Sequence, residues 1–194
     1  MRFIYFVFAA ALGLSACGGT QPTFDELQSE ALALWDAKEA EDRTKWAAIS
    51  PLTGSATYEG VGYFKATGSG VPADTFVRGQ MTVDVAFGSG TPQMNGAITD
   101  FVAQTNFVDE TEQTLAGELT FVVDATSLIF APKDTIRYPA QLTGTLQAPG
   151  TDQIHEIDAD IHGRFYGPDG QYLAGGITDD DGPLMINGGF VVEN

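Results

Sequence analysis

The chain has 194 residues, enough for one domain with its own core, and carries 26 acidic against 9 basic residues for a net charge of −17. That balance argues against nucleic acid and against anionic lipid surfaces as partners, because both need clustered Lys and Arg. A single cysteine excludes an intramolecular disulfide, and the many Gly, Phe and Tyr residues lean towards β structure rather than disorder.

The N-terminus places Arg2 ahead of an apolar run from Phe3 to Leu14, then Ser15-Ala16-Cys17. One positive residue, a short hydrophobic stretch and small residues before a cleavage point have the layout of a secretory signal. The run is shorter than the roughly 20 residues needed to cross a bilayer as helix. Leu14-Ser15-Ala16-Cys17 resembles the lipobox of bacterial lipoproteins. That resemblance implies removal of residues 1–16, thioether lipidation of Cys17 and acylation of the new N-terminus. Gly18 after the cysteine implies passage to the outer membrane, with the protein on its periplasmic or surface face. Losing Arg2 from a net −17 leaves the mature chain at −18. Residues 17–22 form the tether, and two or more acyl chains make a stable attachment.

Residues 23–49 have the pattern of one helix. Thr23 with Glu26 three residues later forms a capping box, and Asp25 and Glu26 suit the positive end of the helix dipole. Phe24, Leu27, Ala31, Leu34 and Trp35 recur at helical spacing, giving an apolar stripe. Lys38, Glu41 and Asp42 dilute it before Trp46 and Ile49 resume it, and Ser50-Pro51 closes the segment. The expectation is a helix laid on the following domain; the sharper alternative is a helix that docks a partner.

Over residues 53–194 the period changes to two. Eight alternating stretches each carry a glycine in register with large apolar neighbours: Gly60, Gly79, Gly96, Gly117, Gly144, Gly163, Gly175 and Gly188. Glycine relieves crowding where strongly coiled strands approach one another, and eight strands enclose an interior that side chains can fill. Turn-rich connectors such as Gly167-Pro168-Asp169-Gly170 separate the stretches. The pattern predicts an all-β domain, a single eight-stranded antiparallel barrel. Met81, Val83, Val85 and Phe87 share the glycine-bearing inward face, while Gln80, Thr82 and Asp84 point outward. A membrane-spanning barrel has the opposite arrangement, so a soluble barrel filled by Met81, Phe87, Leu119, Phe121, Phe165 and Phe190 is expected.

Three stretches resemble the barrel domain of transferrin-binding protein B and its relatives, the surface lipoproteins that include the factor H binding proteins. They are Gly79 to Gly90 with Met94-Asn95-Gly96-Ala97-Ile98, then Gly163-Arg164-Phe165-Tyr166-Gly167-Pro168 with Leu173-Ala174-Gly175-Gly176, and the closing Gly188-Gly189-Phe190. The resemblance covers roughly residues 54–194 and implies a barrel that engages a protein. The family's handle domain has no room here and the helix has no counterpart, so no contact residue is carried over.

Catalytic and metal signals are sparse. His162 is expected on the outer face with Asp160 and Arg164, and His155 as a solvated residue beside Glu156; a haem or metal pair made of the two is the sharper alternative. Asp179-Asp180-Asp181-Gly182 lacks EF-hand spacing and reads as an acidic turn that could hold a cation. No serine sits in a nucleophile elbow, and no cysteine–histidine spacing suggests zinc. The sequence therefore points to a non-catalytic binding lipoprotein without a cofactor, attached through lipid on Cys17 and engaging a protein partner by loops and outer barrel face. A haem or small-solute carrier, with its ligand in a cleft at the barrel mouth or beneath the helix, is the runner-up, and a structural envelope protein the third reading.

Overall fold

The computed structural model describes residues 21–68, 70–72, 74–88, 92–105, 111–123, 129–131, 135–181 and 184–194. Two helices, α1 (Phe24–Glu39) and α2 (Trp46–Ile49), precede nine strands. These are β1 (Gly54–Gly68), β2 (Thr75–Phe87), β3 (Gln93–Thr105), β4 (Thr111–Val123), β5 (Ile129–Ala131), β6 (Thr135–Gln147), β7 (Ile154–Tyr166), β8 (Tyr172–Asp179) and β9 (Leu184–Glu193). All pairings are antiparallel. Neighbours run β4-β3-β2-β1-β9-β8-β7-β6, and β4 pairs back onto β6, closing an eight-stranded barrel as the glycine pattern predicts. The short β5 pairs only with the start of β6, outside the ring.

The closing seam is brief. β4 and β6 share five rungs, from Ala116↔Gln147 to Thr120↔Thr143, whereas β1 and β2 share thirteen.

The interior holds the alternating residues read from sequence: Met81, Val83, Val85, Leu119, Phe121, Phe165 and Phe190 are buried in one core, with Phe87 packed at its edge. Glycines make room for large neighbours. The ring of Phe121 occupies the space a Cβ at Gly96 would need, and Phe190 would lie 2.8 Å from one at Gly163. The alternation breaks once. In β3 the register moves between Ile98 and Phe101, with Asp100 in the left-handed region (φ 51°). This bulge lets both Ile98 and Phe101 face inward and turns Val102 outward, as an extra residue in one strand does.

Val102 is covered by α1. The helix begins with the expected capping box: the Glu26 amide donates to Thr23 Oγ1 (3.2 Å), and the Thr23 amide donates to Glu26 Oε2 (2.8 Å). Phe24, Leu27 and Ala31 pack on Val61 and Val102 of the outer barrel wall, and Leu34 packs on Ala174 and Val191. Two cations seal the margins: the Arg78 guanidinium lies 3.7 Å from the Phe24 ring centre, and the Lys38 ammonium 4.2 Å from that of Trp35. The apolar stripe thus lies on the barrel, the first of the two expectations.

The helix does not continue to residue 49. It stops at Glu39, residues 40–41 turn the chain, and residues 42–45 carry it without helix to α2. Glu39-Ala40-Glu41-Asp42-Arg43 has no stripe to bury, so its backbone pairs with the end of β7 instead. Arg43 bridges to Tyr166, the Gly167 amide donates to the Asp42 carbonyl (2.9 Å), and the Thr44 amide to that of Phe165 (2.9 Å). Among the described residues no helix is long and apolar enough to cross a membrane.

Candidate binding site at the open end of the barrel

The extended segment leads α2 across one end of the barrel, where Ile49 enters the core beside Tyr58, Tyr138 and Phe165. The rings of Tyr58 and Tyr138 stand 5.8 and 5.2 Å from that of Phe165, the second edge-on, and Phe87 adds a third at 6.1 Å. Gly170 (φ 76°) turns the chain tightly here, because a Cβ would come 2.8 Å from Ile49 Cδ1. Tyr58 donates its hydroxyl proton to the Gly170 carbonyl at 2.7 Å. Burial pushes the Tyr58 phenol up to about 12 and raises that of Tyr138 too. This end is shut.

Among the described residues the opposite end is open. There β1, β3 and β6 finish and β2, β4, β7 and β9 begin, and their inward side chains leave a cavity of about 250 Å³. Phe64, Val77, Leu115, Leu146 and Leu184 form its apolar wall. The space exists because Ala66 and Ala103 occupy inward positions where the shut end carries aromatic rings. Polar side chains gather at the rim. Thr75 and Thr151 spend their hydroxyls on turn carbonyls, Pro72 (2.7 Å) and Ala148 (2.9 Å), and Gln147 donates to the Thr151 carbonyl (2.7 Å). Gln113, Gln153 and His155 also line the rim, and the described residues make no hydrogen bond to their side chains. The cavity can therefore bury an apolar body and offer donors and acceptors to one polar end.

His155 differs from its expected solvated place. It stands opposite Leu146 on the inward face of β7 and lines the cavity. His162 is on the outer face as expected, where its ring covers Gly176 of β8. Burial, then Arg137 and Arg164, push its imidazole below its usual range, and Asp160 partly offsets them. The two histidines thus lie on opposite faces of β7 and are not a ligand pair. The Asp181 amide donates to Asp179 Oδ1 (3.1 Å) in the acidic turn, and Gly182 lies outside the described residues. Among the described residues no group of three His, Cys, Asp or Glu side chains could hold a metal ion. Cys17 and the segment before it also lie outside the described residues.

Two further depressions, of about 300 and 470 Å³, mark the outer face. One is lined by Tyr63, Lys65, Arg78 and Asn187, the other by Glu30, Glu59 and Glu193. Burial and the two neighbouring carboxylates raise the Glu30 carboxyl. Neither has the apolar walls of the mouth cavity.

The leading sequence reading expected a filled interior and so passed over this cavity, whereas the runner-up placed its solute at the barrel mouth or beneath the helix. The signal was present in residue size: inward positions near the mouth read Ala66, Thr75, Ala103 and Thr105, against Tyr58, Phe121, Tyr138 and Phe165 at the other end. No family model, curated protein or solved structure matches the chain.

Proposed function

We propose that this chain is a non-catalytic binding lipoprotein, tethered to the outer membrane by lipid on Cys17, that holds a small and mainly apolar solute in the mouth of its barrel. The observation that carries the reading is the mouth cavity, with its apolar wall and, at its rim, Gln113, Gln153 and His155, whose side chains make no hydrogen bond to the described residues. A cavity of about 150 Å³ admits benzene, so about 250 Å³ suits a substituted aromatic or a medium alkyl chain with a polar head. A whole haem macrocycle exceeds it, since pockets that bury such ligands begin at about 300 Å³ and run far larger.

The tether rests on the lipobox-like Leu14-Ser15-Ala16-Cys17. The likeness of Gly163 to Gly176 to the transferrin-binding protein B barrel supports a binding role of some kind. A protein partner seated over the mouth is the second reading. It is favoured by Ile154 (58% exposed) and Met185 (47%), apolar residues on the outer side of the rim.

Calorimetric titration with straight-chain alcohols from hexanol to decanol tests the first reading. Saturable binding with a negative heat-capacity change is expected, and Ala103→Leu, which fills the cavity, abolishes it. Absence of saturation, or equal binding by a folded Ala103→Leu protein, overturns the solute reading. Incorporation of labelled palmitate that persists in Cys17→Ser overturns the tether.

A further inference from the structure

On the outer face of β6 and β7 the half nearer the mouth carries Glu156, Asp158 and Asp160, while two arginines, Arg137 and Arg164, meet at the other end. Pro139 stands opposite His162 and Tyr138 opposite Gly163, so Arg137 and Arg164 occupy the next outward rung beside the His162 ring. Both arginines are half-buried, and the Nε of each is sealed from solvent with no hydrogen-bond partner. Neither has a carboxylate partner among the described residues. Burying a donor without an acceptor is unfavourable, and so is holding two guanidinium groups together unpaired. A third cation stands nearby: Lys38 lies 4.4 Å from the ring of Tyr166, two residues beyond Arg164 on the same face. On the β8 side the neighbouring outward positions are Ala174, which Leu34 of α1 covers, and Gly176, which brings no side chain beside the His162 ring.

We propose that this face binds an oxyanion, a carboxylate or phosphate group held by Arg137 and Arg164 with His162 beside them. Guanidinium groups match such oxygens in planar, forked geometry, and the anion supplies the opposite charge that the pair lacks. The site is on the outer wall, separate from the mouth cavity, and does not depend on the solute reading.

Three charges face the His162 ring: Arg137 from β6, and Arg164 and Asp160 from its own strand, with β8 contributing only Gly176. A bound anion must therefore raise the pH at which His162 titrates. The test is a titration of the Cys17→Ser chain with inorganic phosphate and with citrate at low salt, following the ring resonances of His162. Saturable shifts and a raised His162 midpoint are expected. Arg137→Gln and Arg164→Gln should each weaken binding roughly ten- to a hundredfold, with the core amide spectrum unchanged. Phosphatidylglycerol vesicles form a second arm: binding to them that needs both arginines, without saturation by phosphate or citrate, assigns the oxyanion to a lipid headgroup. No saturation by any of the three probes overturns the proposal. A His162 midpoint that stays fixed while phosphate, citrate or vesicles saturate overturns it too, and needs no variant to fold.

Discussion

The two ends of this barrel are built from the same strands and do opposite things. At one end, Ile49 and the rings of Tyr58, Phe87, Tyr138 and Phe165 close the core; at the other, Ala66 and Ala103 leave about 250 Å³ open under a polar rim. The same strands frame both ends, and it is side-chain volume at inward positions that separates a plug from a pocket. A barrel of this size offers a site only where its own residues are small.

That contrast can be broken most directly by mutation. Phe165→Ala should cost about 3–5 kcal/mol in urea unfolding, since it deletes the ring on which three others converge. Ile49→Ala should cost about 2–4 kcal/mol by the same measurement, because it loosens the plug without removing a strand residue. Tyr58→Phe leaves the Gly170 carbonyl without its donor and should cost about 1–3 kcal/mol. Ala103→Leu at the mouth should change stability by less than about 1 kcal/mol while closing the cavity. A cost for Ala103→Leu as large as that for Phe165→Ala would show that the mouth is packed as tightly as the plug.

Alkaline pH sharpens the same comparison. The Tyr58 phenol titrates near 12 in the folded protein, above its unfolded value of about 10, so the folded state holds that proton more tightly. Its contribution to stability is complete below about pH 10 and is lost as pH rises towards 12. The urea midpoint should therefore fall between about pH 10 and 12, and fall less in Tyr58→Phe. Tyr138, whose phenol burial also raises, accounts for the loss that remains.

Much of the architecture was legible in the sequence because it rests on periodicity. The inward faces of β2 and β7, the strand glycines and the helical stripe from Phe24 to Leu34 all follow from residue order alone. What escaped depends on distant partners. The helix break after Glu39 is decided by pairing of Arg43 with Tyr166, more than a hundred residues away. The bulge at Asp100 reverses the alternation in β3 and sends Val102 under α1, which no count of period two anticipates. His155 looked like a surface residue beside Glu156, yet its parity with Ile157 and Ala159 already placed it inside. The arginine pair escaped for a similar reason: Arg137 and Arg164 are brought together only by the register of β6 on β7.

The seating of α1 also dictates an order of assembly. The helix rests on Val61 of β1 and Val102 of β3 with its first half and on Val191 of β9 through Leu34, so its bed is complete only once the last strand has paired with the first. That pairing joins Glu59 to Glu193 and spans nearly the whole domain, the kind of distant contact that forms slowly. The helix can therefore seat along its whole length only after that pairing. Once seated it straddles the junction where the two ends of the chain meet, as a clasp over the closing strand.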